Sequence, residues 1–154
     1  MPGAATQSPI SNGTTETSNL QLAFWTAFVE YCRSIGRGDD IASRKFYPQN
    51  WYDVSIGSGD YSVFFNVIGK STLRIGLYVN DIAIFERLVA IKSNIENDCG
   101  FHMEWYTSKP SSTVKWILYS TEADIYNPLK YQESFDWLIT HFDKLKIALE
   151  VCDT

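Results

Sequence analysis

Three short apolar segments between residues 51 and 79 alternate with a period of two, and connections of only a few residues join them. The segments are residues 51–57, 61–68 and 73–79, separated by glycine-containing turns at residues 57–60 and 69–71. A period of two is typical of strands that bury one face. Connections this short can join only antiparallel neighbours. This stretch therefore predicts an antiparallel meander of three strands.

The segment before the meander has a helical period instead. A helix is predicted from about Asn19, with Ser18 or Asn19 as its cap and with Gly36 and Gly38 at its end. Its apolar stripe consists of Leu20, Phe24, Phe28, Tyr31 and Ile35.

The chain after the meander alternates between the two periods. A second helix is predicted after Asn80 or Asp81 and ends at Gly100, with the stripe Ile84, Leu88, Ile91 and Ile95. Two more strands follow at residues 101–106 and 114–120. The last helix has the stripe Phe135, Leu138, Ile139, Phe142, Leu145 and Leu149.

The predicted order is thus α-β-β-β-α-β-β-α, an α+β fold. We expect a mainly antiparallel sheet of about five strands with helices packed on one face. The other face would be open to solvent or to a ligand.

Residues 2–18 are small and polar, with Glu16 as their only charge. Such a segment cannot bury enough apolar surface to offset the entropy lost on ordering. We therefore expect a disordered tail or linker at residues 1–18 and a single α+β domain at residues 19–154.

Charge and cysteine content narrow the class of protein. The net charge of −5 argues against a stand-alone DNA binder, although a local basic patch stays possible. Cys32, Cys99 and Cys152 form no CxxC pair, which favours reduced thiols and a cytoplasmic protein. No apolar run is long enough to span a membrane, and no signal-peptide pattern is present.

No motif of catalysis stands out. His102 and His141 lie far apart without ligand-spaced partners. No predicted strand carries the acidic residue two positions before a lysine that is familiar from metal nucleases. We expect no catalytic residues, no metal and no cofactor, which leaves an enzyme as the least favoured interpretation.

The segment from Trp51 to Ser55 is the most distinctive candidate for a ligand site. Alternation places Trp51, Asp53 and Ser55 on one face of the strand, and Tyr52 on the other. Asp53 could serve a binding site beside the indole, or it could hold a neighbouring loop by hydrogen bonds. The candidate ligand-binding residues are Trp51, Tyr52, Asp53, Ser55, Arg74 and Glu104.

Further polar residues could share the face of Trp51. They are Asn66, His102 and Lys115, beside Arg74 and Glu104. Such a face could form a binding site or the solvated side of the sheet.

A basic cluster surrounds the end of the first helix and consists of Arg33, Arg37, Arg44 and Lys45. It could contact nucleic acid or another anion. Cations are also favourable at a helix C-terminus for electrostatic reasons alone, and Asp39 and Asp40 dilute the cluster.

Several segments together resemble a prokaryotic family, the domain of unknown function 4268. They are residues 20–28, 51–57 and 74–79, Phe85 with Leu88, Glu104 with Trp105, and residues 135–138. One departure is Gly76, which runs straight into Leu77 where the family often has a glutamate before a Leu-Tyr pair.

The resemblance implies a context and no mechanism. Members commonly sit at the C-terminus of longer proteins, behind a part similar to a restriction-endonuclease-type nuclease domain, and this chain lacks that part. The first hypothesis is therefore a non-catalytic accessory domain that serves a nuclease-like partner by binding nucleic acid or protein. The alternatives are a protein-interaction or homodimerisation module with exposed aromatic residues, and a small-ligand sensor on the polar sheet face.

Overall fold

Four helices and five strands make up the computed structural model, which describes residues 9–79, 81–107 and 115–153. The helices are α1 (Pro9–Ser34), α2 (Ile82–Ala90), α3 (Lys92–Cys99) and α4 (Tyr131–Cys152). The strands are β1 (Trp51–Val54), β2 (Tyr61–Ile68), β3 (Thr72–Val79), β4 (Glu104–Thr107) and β5 (Lys115–Glu122). A short 3-10 turn (Pro128–Lys130) precedes α4.

The five strands form one antiparallel sheet in the order β1-β2-β3-β5-β4. The first three strands are the predicted meander. Strand β5 inserts between β3 and β4, so β1 and β4 lie at opposite edges of the sheet. The α+β class and the antiparallel sheet that the sequence predicts are confirmed.

The helices cover one face of this sheet. Phe28 of α1 and Phe142 of α4 pack edge-on against Phe65 of β2, with ring centroids 5.6 and 6.2 Å apart. Leu88 of α2 and Leu138 of α4 are fully buried in the same core. Because these side chains fill one side of the sheet, the other side carries the remaining residues of every strand.

Helix α1 differs from the sequence-based expectation at both ends. It begins at Pro9, so residues 9–18 are helical instead of an irregular linker. Proline is tolerated in the first turn, and each added turn extends a helix that is already anchored by its buried residues. Residues 1–8 lie outside the described residues, and the boundary between tail and domain stays a prediction. At the other end, Ile35 lies beyond the last helical residue and is exposed, so it is not part of the buried stripe.

The predicted middle helix is divided at Ile91 into α2 and α3. The backbone of Ile91 leaves the helical region, and its N–H contacts the carbonyls of Leu88 and Val89. The bend lets Leu88 and Ile95 both reach the core.

All three cysteines are free thiols, as the sequence predicts. Burial raises the pKa of the Cys32 thiol to about 12, so this thiol stays protonated near neutral pH. None of the helices in the described part of the chain is both long enough and apolar enough to cross a membrane.

Candidate functional site

On the uncovered side of the sheet, here called the open face, three of the rows that run across the strands form the candidate site. Strand register gives one row that is mostly polar, one middle row and one row rich in aromatic residues. The polar row is Trp51, Asn66, Arg74 and Ser120; the middle row is Asp53, Phe64, Gly76, Leu118 and Glu104; the aromatic row is Ser62, Tyr78, Trp116 and Tyr106.

Three aromatic rings form the floor of the open face. The Trp116 indole packs edge-on against Phe64 and against Tyr78, with ring centroids 5.2 Å apart in both pairs. Trp51 on β1 and Tyr106 on β4 stand at the two edges and are 43% and 45% exposed. With strands about 4.8 Å apart, the two edges are separated by about 19 Å.

Gly76 makes this floor possible. The Phe64 ring lies directly over it, so that a Cβ at position 76 would come within 2.2 Å of the Phe64 Cζ. No side chain larger than hydrogen fits under the ring in this arrangement. Gly76 is therefore part of the floor of the open face.

Helix α1 and the loop that follows it set the orientation of β1 through two hydrogen bonds and a ring stack. The Trp25 Nε1 donates to the Gln49 carbonyl (2.8 Å), and the Tyr52 hydroxyl donates to the Arg44 carbonyl (2.7 Å). The rings of Trp25 and Tyr52 stack with centroids 5.6 Å apart. Since Tyr52 is fixed towards the helices, its neighbours Trp51 and Asp53 must point to the open face.

The opposite edge is tied to α3 by Glu96. Its carboxylate accepts hydrogen bonds from the Met103 N–H (2.7 Å) and the Trp105 Nε1 (3.0 Å). Burial opposes ionisation of this carboxyl, but the hydrogen bonds outweigh it and lower its pKa. Strand β4, which carries Tyr106, is thereby held against the helical layer.

The polar groups of the open face are oriented by neighbours on the sheet. The Arg74 Nε donates to the Ser120 Oγ (2.8 Å), and the Tyr106 hydroxyl donates to the Glu104 Oε2 (2.6 Å). The bond to Glu104 raises the pKa of Tyr106. Asp53 is exposed, and its carboxylate forms no hydrogen bond or ion pair with any residue that the structure describes.

Together these residues enclose a broad depression of about 820 Å³ on the open face. Its lining combines five aromatic residues with two arginines and one carboxylate: Trp51, Phe64, Tyr78, Tyr106, Trp116, Arg44, Arg74 and Asp53. The volume is in the range of ligand-binding clefts. Its aromatic rings can stack on flat ring systems, and its arginines can bind anionic groups.

The structure brings Trp51, Asp53 and Arg74 together in this depression, as alternation along the strands predicts. Tyr52 lies on the other face and is buried against α1. Ser55 follows the end of β1, outside the depression, and its Oγ accepts from the Gly57 N–H (3.3 Å). Glu104 shares the open face but sits on the edge strand opposite Asp53, so the two carboxylates do not meet.

Of the further polar candidates, only Asn66 lines the depression. His102 precedes β4, is exposed and contacts Glu96 on α3 (3.2 Å). Lys115 pairs with Val79 in the sheet and is buried on the helical side. The expectation that Lys115 shares the face of Trp51 is wrong, because β5 pairs with β3 in the register that turns this residue inwards.

The basic cluster divides into two parts. Arg37 is held by Asp40 and by Asp143 of α4, with closest distances of 2.8 and 2.7 Å. These carboxylates raise the pKa of Arg37 and neutralise its charge. Arg33, Arg44 and Lys45 are exposed and line a second, smaller depression next to the end of α1.

Sequence reasoning missed most of the aromatic lining. Phe64, Tyr78, Tyr106 and Trp116 each lie on the open face, although period-two alternation within each strand could have placed them on one side. What alternation cannot reveal is which strands are neighbours, so the residues could not be assembled into one surface.

Within the described ranges, no three His, Cys, Asp or Glu side chains stand close enough together to hold a metal ion. The groups in the depression that can bind a ligand are its aromatic rings, its two arginines and Asp53.

A family model described as "Domain of unknown function (DUF4268)" matches residues 20–152. No curated protein and no solved structure matches the chain.

Proposed function

The chain belongs to the DUF4268 family, and we propose that it is an accessory binding domain that holds unpaired bases of a nucleic acid on its open face. The observation that carries this proposal is the depression on the uncovered sheet face, which is lined by five aromatic rings together with Arg44, Arg74 and Asn66. Bases stack on aromatic side chains, and arginines attract the phosphates between them.

The arrangement of the rings supports a ligand that spreads across the strands. Trp51 and Tyr106 are accessible at the two edges, whereas Phe64, Tyr78 and Trp116 are packed against one another in the middle. Edge rings with a free face can each take one base, and the central floor supports the segment between them.

Charge supports a nucleic acid over an apolar partner. Arg44 and Arg74 line the depression with Asp53 as the one carboxylate in its described lining, although the whole chain carries a net charge of −5. On an acidic protein, a locally positive surface favours polyanion binding at this face over the rest of the molecule. The resemblance to domains that accompany nuclease-like proteins supports a role in nucleic-acid processing or defence, with such a protein as partner.

Removal of an edge ring tests the proposal. The probe is a fluorescein-labelled oligothymidylate of about ten nucleotides. Trp51→Ala should weaken its binding by about 5- to 150-fold, because the loss of one base–aromatic stacking contact lowers the affinity by that factor. Fluorescence anisotropy at low salt measures the dissociation constant. Trp51→Phe keeps a ring for stacking and should retain most of the affinity.

Leu129→Ala is the control for a general surface effect, because Leu129 is 90% exposed and lines neither depression. Equal affinities of Trp51→Ala and the unaltered protein would contradict the proposal. Absence of oligonucleotide binding, together with a dimer in light scattering that Trp51→Ala dissociates, would assign the open face to protein interaction instead.

Asp53 should influence which bases bind. A carboxylate accepts hydrogen bonds from the amino group of cytosine, which thymine lacks. We expect Asp53→Asn to weaken oligodeoxycytidylate binding by about 2- to 10-fold and to leave oligothymidylate binding undiminished. Because the Asp53 carboxylate bonds to none of the described residues, the free energy of unfolding should stay within about 0.5 kcal/mol in urea titrations.

The two readouts separate the two roles considered for Asp53. A loss of unfolding free energy above about 1 kcal/mol, with equal losses of affinity for both oligonucleotides, would identify a structural residue.

A further inference from the structure

Arg44 lines two depressions at once. One is the depression on the open face, and the other is a depression of about 240 Å³ next to the end of α1, here called the basic depression. The basic depression is lined by Arg33, Ser43, Arg44, Lys45, Phe46 and Tyr47. A ligand that extends from the open face past Arg44 therefore reaches the basic depression.

The cations of the basic depression are available to a ligand. Arg33, Arg44 and Lys45 are exposed, and none of them forms an ion pair or a side-chain hydrogen bond with the residues described. Arg37, only four positions from Arg33, is by contrast bound by Asp40 and Asp143. Arg37 is thus neutralised by two ion pairs, whereas the other three cations of the cluster lie together at the basic depression.

The position of these cations is fixed by the same contacts that orient β1. The Arg44 carbonyl accepts the Tyr52 hydroxyl, so the loop with Arg44 and Lys45 is anchored to the strand of Trp51. Arg33 lies in the last turn of α1, the helix whose Trp25 stacks on Tyr52. The same contacts therefore fix Trp51 on the open face and the three cations of the basic depression relative to one another.

We infer that the basic depression binds the sugar–phosphate backbone of the same single strand whose bases lie on the open face. This inference rests on the proposed function and adds the path of the backbone, from the open face past Arg44 to Arg33 and Lys45. Three cations that have no ion pair among the described residues lie beside Ser43 and can donate charge-assisted hydrogen bonds to phosphates. The aromatic Tyr47, 53% exposed, offers a ring for one more base.

The test is the salt dependence of oligothymidylate binding by the Arg33→Gln/Lys45→Gln variant. Each phosphate contact on a single strand contributes about 0.7 to the slope of log affinity against log salt. The variant should therefore show a slope smaller in magnitude by about 1.4 and a reduced affinity at low salt. Arg44 is kept, so that the lining of the open face is unchanged.

A matched control removes two cations from the helical layer instead. Lys92 lies over the Trp105 ring, and Lys144 is exposed on α4. Lys92→Gln/Lys144→Gln makes the same change in net charge and should leave the slope within about 0.3 of the unaltered protein, less than half of one phosphate contact. Trp51→Ala should lower the affinity without changing the slope.

These readouts distinguish failure of this inference from failure of the proposed function. An unchanged slope in Arg33→Gln/Lys45→Gln, with affinity still sensitive to Trp51→Ala, would overturn only the backbone path. An equal loss of slope in the control variant would overturn it too, since the effect would then come from net charge. No binding by the unaltered protein would overturn both.

Discussion

Replacement of Leu138 by alanine is expected to lower the free energy of unfolding by about 2–5 kcal/mol. Leu138 is fully buried on α4, in the core between the helices and the sheet. The loss combines the transfer free energy of the missing methine and its two methyl groups with the cavity they leave. Domains of this size are stable by about 5–15 kcal/mol, so the variant would lose a large part of the total.

Urea denaturation followed by tryptophan fluorescence measures this loss. Ile147→Ala is the matched control on the same helix, because Ile147 is 55% exposed and should cost less than about 0.5 kcal/mol. Similar midpoints for the two variants would mean that α4 does not pack on the sheet through the face that carries Leu138.

Gly76→Ala is expected to disturb both stability and binding. The new Cβ would lie 2.2 Å from the Phe64 Cζ, so the ring must leave its place over β3. Overpacking of this kind costs about 1–3 kcal/mol. The displaced ring moves into the depression, where it occupies the space of a stacked base, and we expect a loss of oligothymidylate affinity of about tenfold or more.

A second substitution tests whether the clash with Phe64 is the cause. Phe64→Leu removes the ring atoms that the new Cβ would meet, so Phe64→Leu/Gly76→Ala should be more stable than the sum of the single effects predicts. If the losses of unfolding free energy in the two single variants simply add up in the double variant, the clash with the Phe64 ring is not the cause. A Gly76→Ala variant with unaltered stability and affinity would show that the Phe64 ring does not need the absence of a side chain at position 76.

Much of the open face follows from local pattern. Alternation around Tyr52 separates it from Trp51 and Asp53, and the structure places the three as predicted. Helical periodicity likewise places Phe28, Leu88 and Leu138 in the core. These features depend only on how a side chain projects from its own helix or strand.

The helix boundaries are less well specified by local pattern. Ile35 continues the spacing of Leu20, Phe24 and Phe28, yet α1 ends at Ser34. Periodicity indicates which positions of a helix can face the core. The end of the helix, however, depends on where the chain must turn to reach the next element of the fold. For this chain the turn runs through Gly36, whose positive φ of 78° suits glycine.

By itself, the sequence determined which parts of the chain are helical and which form strands, the antiparallel sheet and the residues of β1 that face away from the helices, although it did not reveal the division of the middle helix at Ile91. Only the tertiary structure decided that β5 lies between β3 and β4, which separates Asp53 from Glu104 and turns Lys115 inwards. It also decided that Asp143, 106 residues away in sequence, binds Arg37, whereas Arg33, Arg44 and Lys45 have no ion pair with any residue that the structure describes. The physical reason is that periodicity and charge are local properties of a chain, whereas strand neighbours and ion pairs follow from packing of the complete core.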